Sequence, residues 1–322
     1  MRGGVIGVDL GGTKLRAGVV DDAARIHHRT HRLAQGLDQP ALLATAEAAV
    51  REALDASGEE VSAVGFGIPA LIDPRRGIVT FCNHLPLDGL AFADVMSERL
   101  GLPVFADNDA NVALLAEHRL GAAQGTRSAL MLTLGTGIGG GLVLDGELYR
   151  GPRGAGAELG HIVVDLDGPP CPGKCPNHGC LEALASGTAL VAEAVRVASL
   201  RPESGLGRAV AAHEELTGPR VSELAHAGDA AAREVVTVVG RRLGAGVAGL
   251  INAFDPEVVV IGGGVIALDE LLLAPAREEA AARLTAPVRG TPIVAARFGD
   301  EAGMVGAAVL ARESAAQRAA AA

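Results

Sequence analysis

Aromatic residues are nearly missing from this chain, which has no Trp, one Tyr and six Phe. Proteins that hold single-stranded nucleic acid stack its bases on aromatic side chains, and that platform is lacking. A basic balance is lacking as well: 28 Lys and Arg stand against 38 Asp and Glu, a net charge of −10. Binding a polyanion by counterion release needs a basic face, so no nucleic-acid partner is expected. No apolar run reaches the roughly 18–20 residues that span a bilayer. Met1-Arg2-Gly3-Gly4 leads straight into a strand-like run, without the apolar core of a signal peptide. The expectation is a cytoplasmic protein with no membrane partner. Cysteine is scarce, and three of the four (Cys171, Cys175 and Cys180, but not Cys82) crowd into ten residues. A disulfide framework is disfavoured in a cytosolic chain, so a metal site is the first reading of that cluster.

Glycine is abundant, at 44 of 322 residues, without a collagen-like period. Those glycines imply many tight turns or close backbone approaches. With 49% hydrophobic residues the chain can bury sizeable cores, and its length suggests about two domains. Val5–Asp9 and Leu15–Val20 read as strands joined by a glycine turn, an opening hairpin. A third strand is expected over 26–32, helices over 40–56 and 91–100, strands over 61–67 and 104–106, and a helix from Asp109 to before Gly121. The pattern then restarts: strand 128–134, a Gly-Thr-Gly turn, strand 139–144. Two similar hairpins about 125 residues apart point to a duplicated α/β domain with a cleft between the halves. A late strand, 257–261, runs into Gly262-Gly263-Gly264, and a closing helix over 304–313 precedes an alanine-rich tail expected to fray.

Backbone amides of a glycine-rich turn can converge on a phosphate. In Asp9-Leu-Gly11-Gly12-Thr13-Lys14 a hydroxyl and a cation accompany them, and Asp9 could hold Mg²⁺ directly or through water. Gly135-Thr136-Gly137 with Gly139, and Gly262–Gly264, are the other two such loops. Each alone fits an ordinary hairpin turn, and neither hairpin loop is a Walker A or Rossmann motif, because no helix follows at the required place. Asp107-Asn108-Asp109-Ala110-Asn111, between a strand end and a helix start, fits helix capping or a catalytic acid. His161 with Cys171, Cys175 and Cys180 fits a closed tetrahedral Zn²⁺ site. Buried inert thiols remain the alternative, His178 is a rival ligand, and Cys82 reads as a small hydrophobe. Arg241-Arg242 and Glu278-Glu279 read as solvated helix faces.

The three glycine loops resemble the phosphate and adenosine loops of the sugar kinase, actin and heat-shock chaperone superfamily. From about Val5 to Ala311 the sequence resembles the ROK family (repressors, open reading frames, kinases), most of all its bacterial glucokinases. The resemblance implies two actin-like, ribonuclease H-like α/β domains flanking a cleft. The smaller would span 1–116, with a helix at 303–322 packing back on it; the larger, 117–302, would carry a zinc loop. It implies ATP-dependent phosphorylation of the 6-hydroxyl of glucose, with Mg²⁺ accompanying ATP and lobe closure excluding water.

The family's Glu-Asn-Asp-Ala-Asn maps its general base onto Asp109 and its sugar-binding Asn onto Asn108, Asp107 being one methylene shorter than Glu. Gly67, Pro69 and Asn83 match upper sugar-site segments, where the family's Pro-Gly is Pro69-Ala70 here. Glu158, His161 and Glu182 would line the sugar, with zinc on the other nitrogen of His161. The family has Cys-x-Cys where this chain has Cys171-x-x-x-Cys175, which leaves the path of the loop open. Asp9, Gly11, Gly12, Thr13, Lys14, Gly135, Thr136, Gly137, Gly139, Gly262, Gly263 and Gly264 would bind nucleotide and metal. A related hexose (mannose, fructose, allose or N-acetylmannosamine) or a polyphosphate donor are the alternatives, and a homodimer or homotetramer is implied. A sugar-responsive repressor of the family carries a helix-turn-helix ahead of Asp-Leu-Gly-Gly. Only eight residues precede Asp9 here, so that reading is disfavoured.

Overall fold

The short β-branched runs become strands, and the alanine-rich stretches between them become helices. The computed structural model describes residues 4–58 and 60–321. In chain order, β1 (Gly4–Leu10), β2 (Lys14–Val20) and β3 (Ile26–Leu33) form a meander, followed by α1 (Gln39–Ser57). Next come β4 (Val61–Ile68), β5 (Ala70–Ile72), β6 (Val79–Cys82), α2 (Phe92–Leu100), β7 (Val104–Asn108) and α3 (Asp109–Leu120). The second run has β8 (Ala129–Leu134), β9 (Ile138–Leu144) and β10 (Glu147–Leu148). Helices α4 (Leu181–Ala185), α5 (Gly187–Leu200), α6 (Gly205–Ala211), α7 (Gly218–His226) and α8 (Ala230–Phe254) follow. The chain ends with β11 (Val258–Gly262), α9 (Glu270–Arg283), β12 (Ile293–Ala295) and α10 (Ala302–Ala321).

Two five-stranded sheets repeat one order, β3-β2-β1-β4-β7 and β10-β9-β8-β11-β12. The hairpin repeat in the sequence is therefore a repeat of sheet topology. Two compact units result: Met1–Arg127 with Gly141–Ala157 and Arg297–Ala322, and Ser128–Gly140 with Glu158–Ala296. The boundary expected at 116–117 falls inside α3. That helix stays in the first unit because Val112 and Leu115 pack with Val309 and Leu310 of α10.

In the first unit, parallel pairing of β1 with β4 sets Asp9 beside Gly67, and β4 with β7 sets Gly67 beside Asp107. Three chemically marked segments thus share one edge, at the carboxyl ends of parallel strands, where ligands bind in open α/β sheets. One face of this sheet is covered by α1 and α2 over a core in which Phe66 and Phe92 meet edge to face, 5.1 Å between centroids. The other face carries α10 at very short range. A Cβ on Gly7 would stand 1.9 Å from the Met304 carbonyl oxygen, and one on Gly65 1.8 Å from that of Ala307.

Two expectations need correction. The closing helix matches the 303–322 implied by the resemblance but is longer than the 304–313 read from the residues, running Ala302–Ala321, because alanine-rich sequence propagates readily once Ala307, Ala308 and Ala311 are buried against the sheet. Glu279 is not solvated: its side chain is only 13% exposed and pairs with Arg241 at 2.7 Å and Arg283 at 2.6 Å. Arg242 reaches Glu193 at 3.3 Å. No described helix is long and apolar enough to cross a membrane.

Candidate active site and metal centre

The first glycine loop is the tip of the β1–β2 hairpin, closed by Gly11 N–H donating to the Lys14 carbonyl at 2.9 Å. Thr13 and Lys14 are exposed there. Asp9, just before the tip, has a mostly buried carboxylate, with Arg16 Nε 3.9 Å from its Oδ2. Burial pushes the Asp9 carboxyl up to about 6; Arg16 opposes the shift, while Asp109 and Asp300 add to it. A carboxylate raised by burial and neighbouring acids is one whose ionised form a divalent cation would stabilise. The donor type suits Mg²⁺.

Asn108 caps α3, its Oδ1 accepting from the amides of Ala110 at 2.9 Å and Asn111 at 3.2 Å. The capping reading and the catalytic reading therefore belong to different residues. Asp109, the first residue of the helix, is partly exposed and accepts from the Ala110 amide at 2.9 Å. Burial raises its carboxyl above the ordinary range, with backbone donors and the nearby His84 opposing the shift. A base raised in this way is better matched to neutral pH. Gly67 leaves room for this helix: a Cβ there would meet Val112 Cγ2 at 2.5 Å and come within 3.6 Å of Asp109 Cα. Pro69 accepts a bond from the Cys82 thiol at 3.3 Å, which ties it to the end of β6, and Asn83 follows that strand on the surface. Cys82 is buried, as its apolar reading required.

The second unit holds the remaining candidates. Gly135–Gly137 is a tight turn, Gly135 N–H donating to the Gly137 carbonyl at 2.9 Å. The start of α5 grips it: Gly187 N–H donates to the Gly135 carbonyl at 2.8 Å, and Thr188 Oγ1 to the Thr136 carbonyl at 2.8 Å. Gly139 lies on β9. Gly262 ends β11, and Gly263 adopts φ +84° where its Cβ would stand 2.4 Å from the Leu134 carbonyl. Only glycine meets both conditions, so the second and third glycine loops lie side by side.

A ring nitrogen of His161 and the Sγ atoms of Cys171, Cys175 and Cys180 lie within 4.8 Å of one another. Two of the separations, 3.4 Å from Cys171 to His161 and 3.9 Å from Cys175 to Cys180, approximate the edges of a tetrahedral zinc site, about 3.5–3.8 Å for Zn–S and Zn–N bonds of roughly 2.3 and 2.1 Å. Burial and the neighbouring thiols push Cys171 far up, and burial raises Cys180. A cation would relieve that crowding by binding thiolates. The longer Cys171-x-x-x-Cys175 spacing still brings the sulfurs together. His178 is exposed, bridged through its backbone to Pro170, and stands outside the set. With Nδ1 toward the thiols, His161 Nε2 faces Glu158, 3.8 Å from Oε2. Glu182 has two neighbours, Cys171 Sγ 3.8 Å from Oε1 and the Ile138 amide donating to Oε2 at 2.8 Å. It therefore links the cysteine cluster to the Gly135–Gly137 turn, a connection the sequence had not suggested.

Sequence reasoning also missed His84, against which Gly12 packs so closely that a Cβ there would stand 2.8 Å from His84 Cβ. It missed Arg150 as well, which donates from Nε to Asp107 Oδ2 at 2.6 Å. His84 adjoins the Asn83 motif and could have been found there. Arg150 carries no local signal.

The model of the ROK family matches residues 5–314. A glucokinase of Thermotoga maritima is 38% identical over 314 residues, 96% of this chain and 97% of its own. One from Streptomyces coelicolor is 36% identical over 315 residues, again 96% and 97%. Among solved structures, a ROK family glucokinase from Streptomyces griseus in complex with glucose and AMPPNP has a TM-score of 0.86 at 39% identity, covering 97% of this chain and all of that one.

Proposed function

Since this chain belongs to the ROK family, we propose that it is an ATP-dependent glucokinase, forming glucose 6-phosphate with Asp109 as general base. The observation that carries the reading is the carboxylate of Asp109, raised by burial at the first residue of α3 and in electrostatic reach of Asp9 at the phosphate-loop hairpin. Phosphoryl transfer asks little covalent chemistry of the protein and much positioning and charge neutralisation. Asp109 accepts the 6-hydroxyl proton as that oxygen bonds to the γ-phosphorus, and the bond to the β–γ bridging oxygen breaks to release ADP. Gly11, Gly12, Thr13 and Lys14, with Gly135–Gly137 and Gly139, bind phosphates, and Gly262–Gly264 take the nucleoside. Asp9 would hold Mg²⁺, which would neutralise phosphate charge. Gly67, Pro69, Asn83, Asn108, Glu158, His161 and Glu182 are the residues assigned to the sugar hydroxyls.

His161, Cys171, Cys175 and Cys180 are assigned to a structural Zn²⁺ that fixes the loop bearing Glu158 and Glu182. A cytoplasmic homodimer or homotetramer completes the reading, testable by light scattering.

The test is a coupled assay with Mg-ATP across glucose, mannose, fructose, allose and N-acetylmannosamine. Glucose is expected to give the highest kcat/KM, and Asp109→Asn to bind glucose but not turn it over. A variant keeping more than about a tenth of kcat, under roughly 1.4 kcal/mol of barrier, would count against the base. Turnover only with polyphosphate would change the donor and keep the base.

A further inference from the structure

Asp107 is only 6% exposed, and a buried carboxylate must be fully partnered or it destabilises the site around it. Its Oδ1 accepts from the Asn108 backbone amide at 2.8 Å and from the Asn111 side-chain amide at 3.0 Å. Its Oδ2 accepts from Arg150 Nε at 2.6 Å. The two Oδ1 bonds set the turn from β7 into α3, and that turn carries Asp109. The Ala110 amide is shared between Asn108 Oδ1 and Asp109 Oδ1, both at 2.9 Å. A rotation of the Asp107 carboxylate would release the Asn108 amide, and Asn108 Oδ1 shares its donor with Asp109.

Arg150 is itself held. Its carbonyl accepts from the Gly156 amide at 2.9 Å, closing the loop that follows β10. That loop lies against β5, where a Cβ on Gly154 would stand 1.7 Å from the Ile72 carbonyl oxygen. The same strand supplies the Ala70 carbonyl that takes the Asn108 side-chain amide at 3.4 Å. Loop, strand and catalytic turn are thus one hydrogen-bonded assembly within the first unit.

We propose that Arg150 is a positioning residue for phosphoryl transfer, locking Asp107 so that Asp107 and Asn108 aim the Asp109 carboxylate at the reacting hydroxyl. The proposal rests on Asp109 being the base. Arg150 acts through Asp107, so its loss falls on turnover and spares substrate binding.

The experiment compares Arg150→Met, Arg150→Lys, Asp107→Asn, the double variant Arg150→Met with Asp107→Asn, and Asp109→Asn, all as full-length protein. kcat, KM for ATP, calorimetric glucose affinity and melting temperature are read for each. Arg150→Met is expected to lose about tenfold or more in kcat, with KM for ATP and glucose affinity within about twofold. Arg150→Lys, which keeps the charge, should recover part of kcat even if Arg150→Met melts early. The double variant should be no worse than the poorer single, because residues acting as one unit are not additive. Unchanged kcat in Arg150→Met, or losses that multiply in the double variant, would overturn the positioning role while a dead Asp109→Asn left the base in place. Retained turnover in Asp109→Asn would remove the base and the positioning role with it.

Discussion

Two carboxyls in the first unit, Asp9 and Asp109, are both raised by burial, and each has a consequence in pH. As the proposed base Asp109 would work as the anion, so kcat/KM should fall as pH drops through its raised pKa, above the ordinary 3.8 of an aspartate. Protonation of Asp9, its carboxyl raised to about 6, would weaken the proposed Mg²⁺ binding in the same direction. A pH–rate profile still flat at about pH 4 would contradict both assignments. In stability the sign reverses. A folded-state pKa raised from 3.8 to about 6 means the folded protein holds that proton more tightly than the unfolded chain. The contribution is present below 3.8 and is lost as pH rises through about 6. Asp9→Asn should therefore raise Tm by a few degrees at pH 7 without Mg²⁺ or nucleotide, while abolishing turnover. Equal melting of the two proteins would show that the Asp9 carboxylate is not strained by its site.

At the scale of elements, the packing of α10 on the first sheet decides what the glycines are for. Gly7 and Gly65 sit mid-strand, where glycine is otherwise unfavourable, because carbonyls of α10 occupy the space of their Cβ atoms. Gly65→Ala has to push the helix off the sheet and should cost at least about 1–3 kcal/mol, read as a lower denaturation midpoint. An unchanged midpoint would mean that the helix is free to shift. The same sheet aligns Asp9, Gly67 and Asp107 by strand register, so loosening α10 should also lower kcat.

At the scale of the whole molecule, one topology is used twice, and each copy carries its own candidate residues. The hairpin tip with Asp9 and the turn with Asp109 belong to the first unit; the other two glycine loops and the cysteine cluster belong to the second. Because Glu182 touches both Cys171 and the Ile138 amide, removing a zinc ion from the proposed site should disturb the Gly135–Gly137 turn as well as the loop proposed to meet the sugar. Metal analysis is expected to give about one zinc per chain, lost in Cys175→Ser together with several degrees of Tm and with affinity for glucose and ATP. Full zinc content in that variant would remove Cys175 from the ligand set.

Strands β1–β4, β7–β9 and β11, the hairpin repeat, the glycine loops, the helix start at Asp109 and the Cys171–Cys180 cluster were legible in the sequence. Each is a local pattern, set by alternation, by turn residues or by ligands a few positions apart. The identity of the helix cap was legible only in part, since Asn108 and Asp109 divide two roles that the run of polar residues offered together. The Arg150–Asp107 pair, the Glu182 bridge to Ile138, the pairing of Glu279 with Arg241 and the passage of α3 across the expected boundary were decided by tertiary structure. Their partners lie tens of residues apart. Which buried charge meets which donor depends on how helices and loops pack, and a single chain of residue types does not encode that locally.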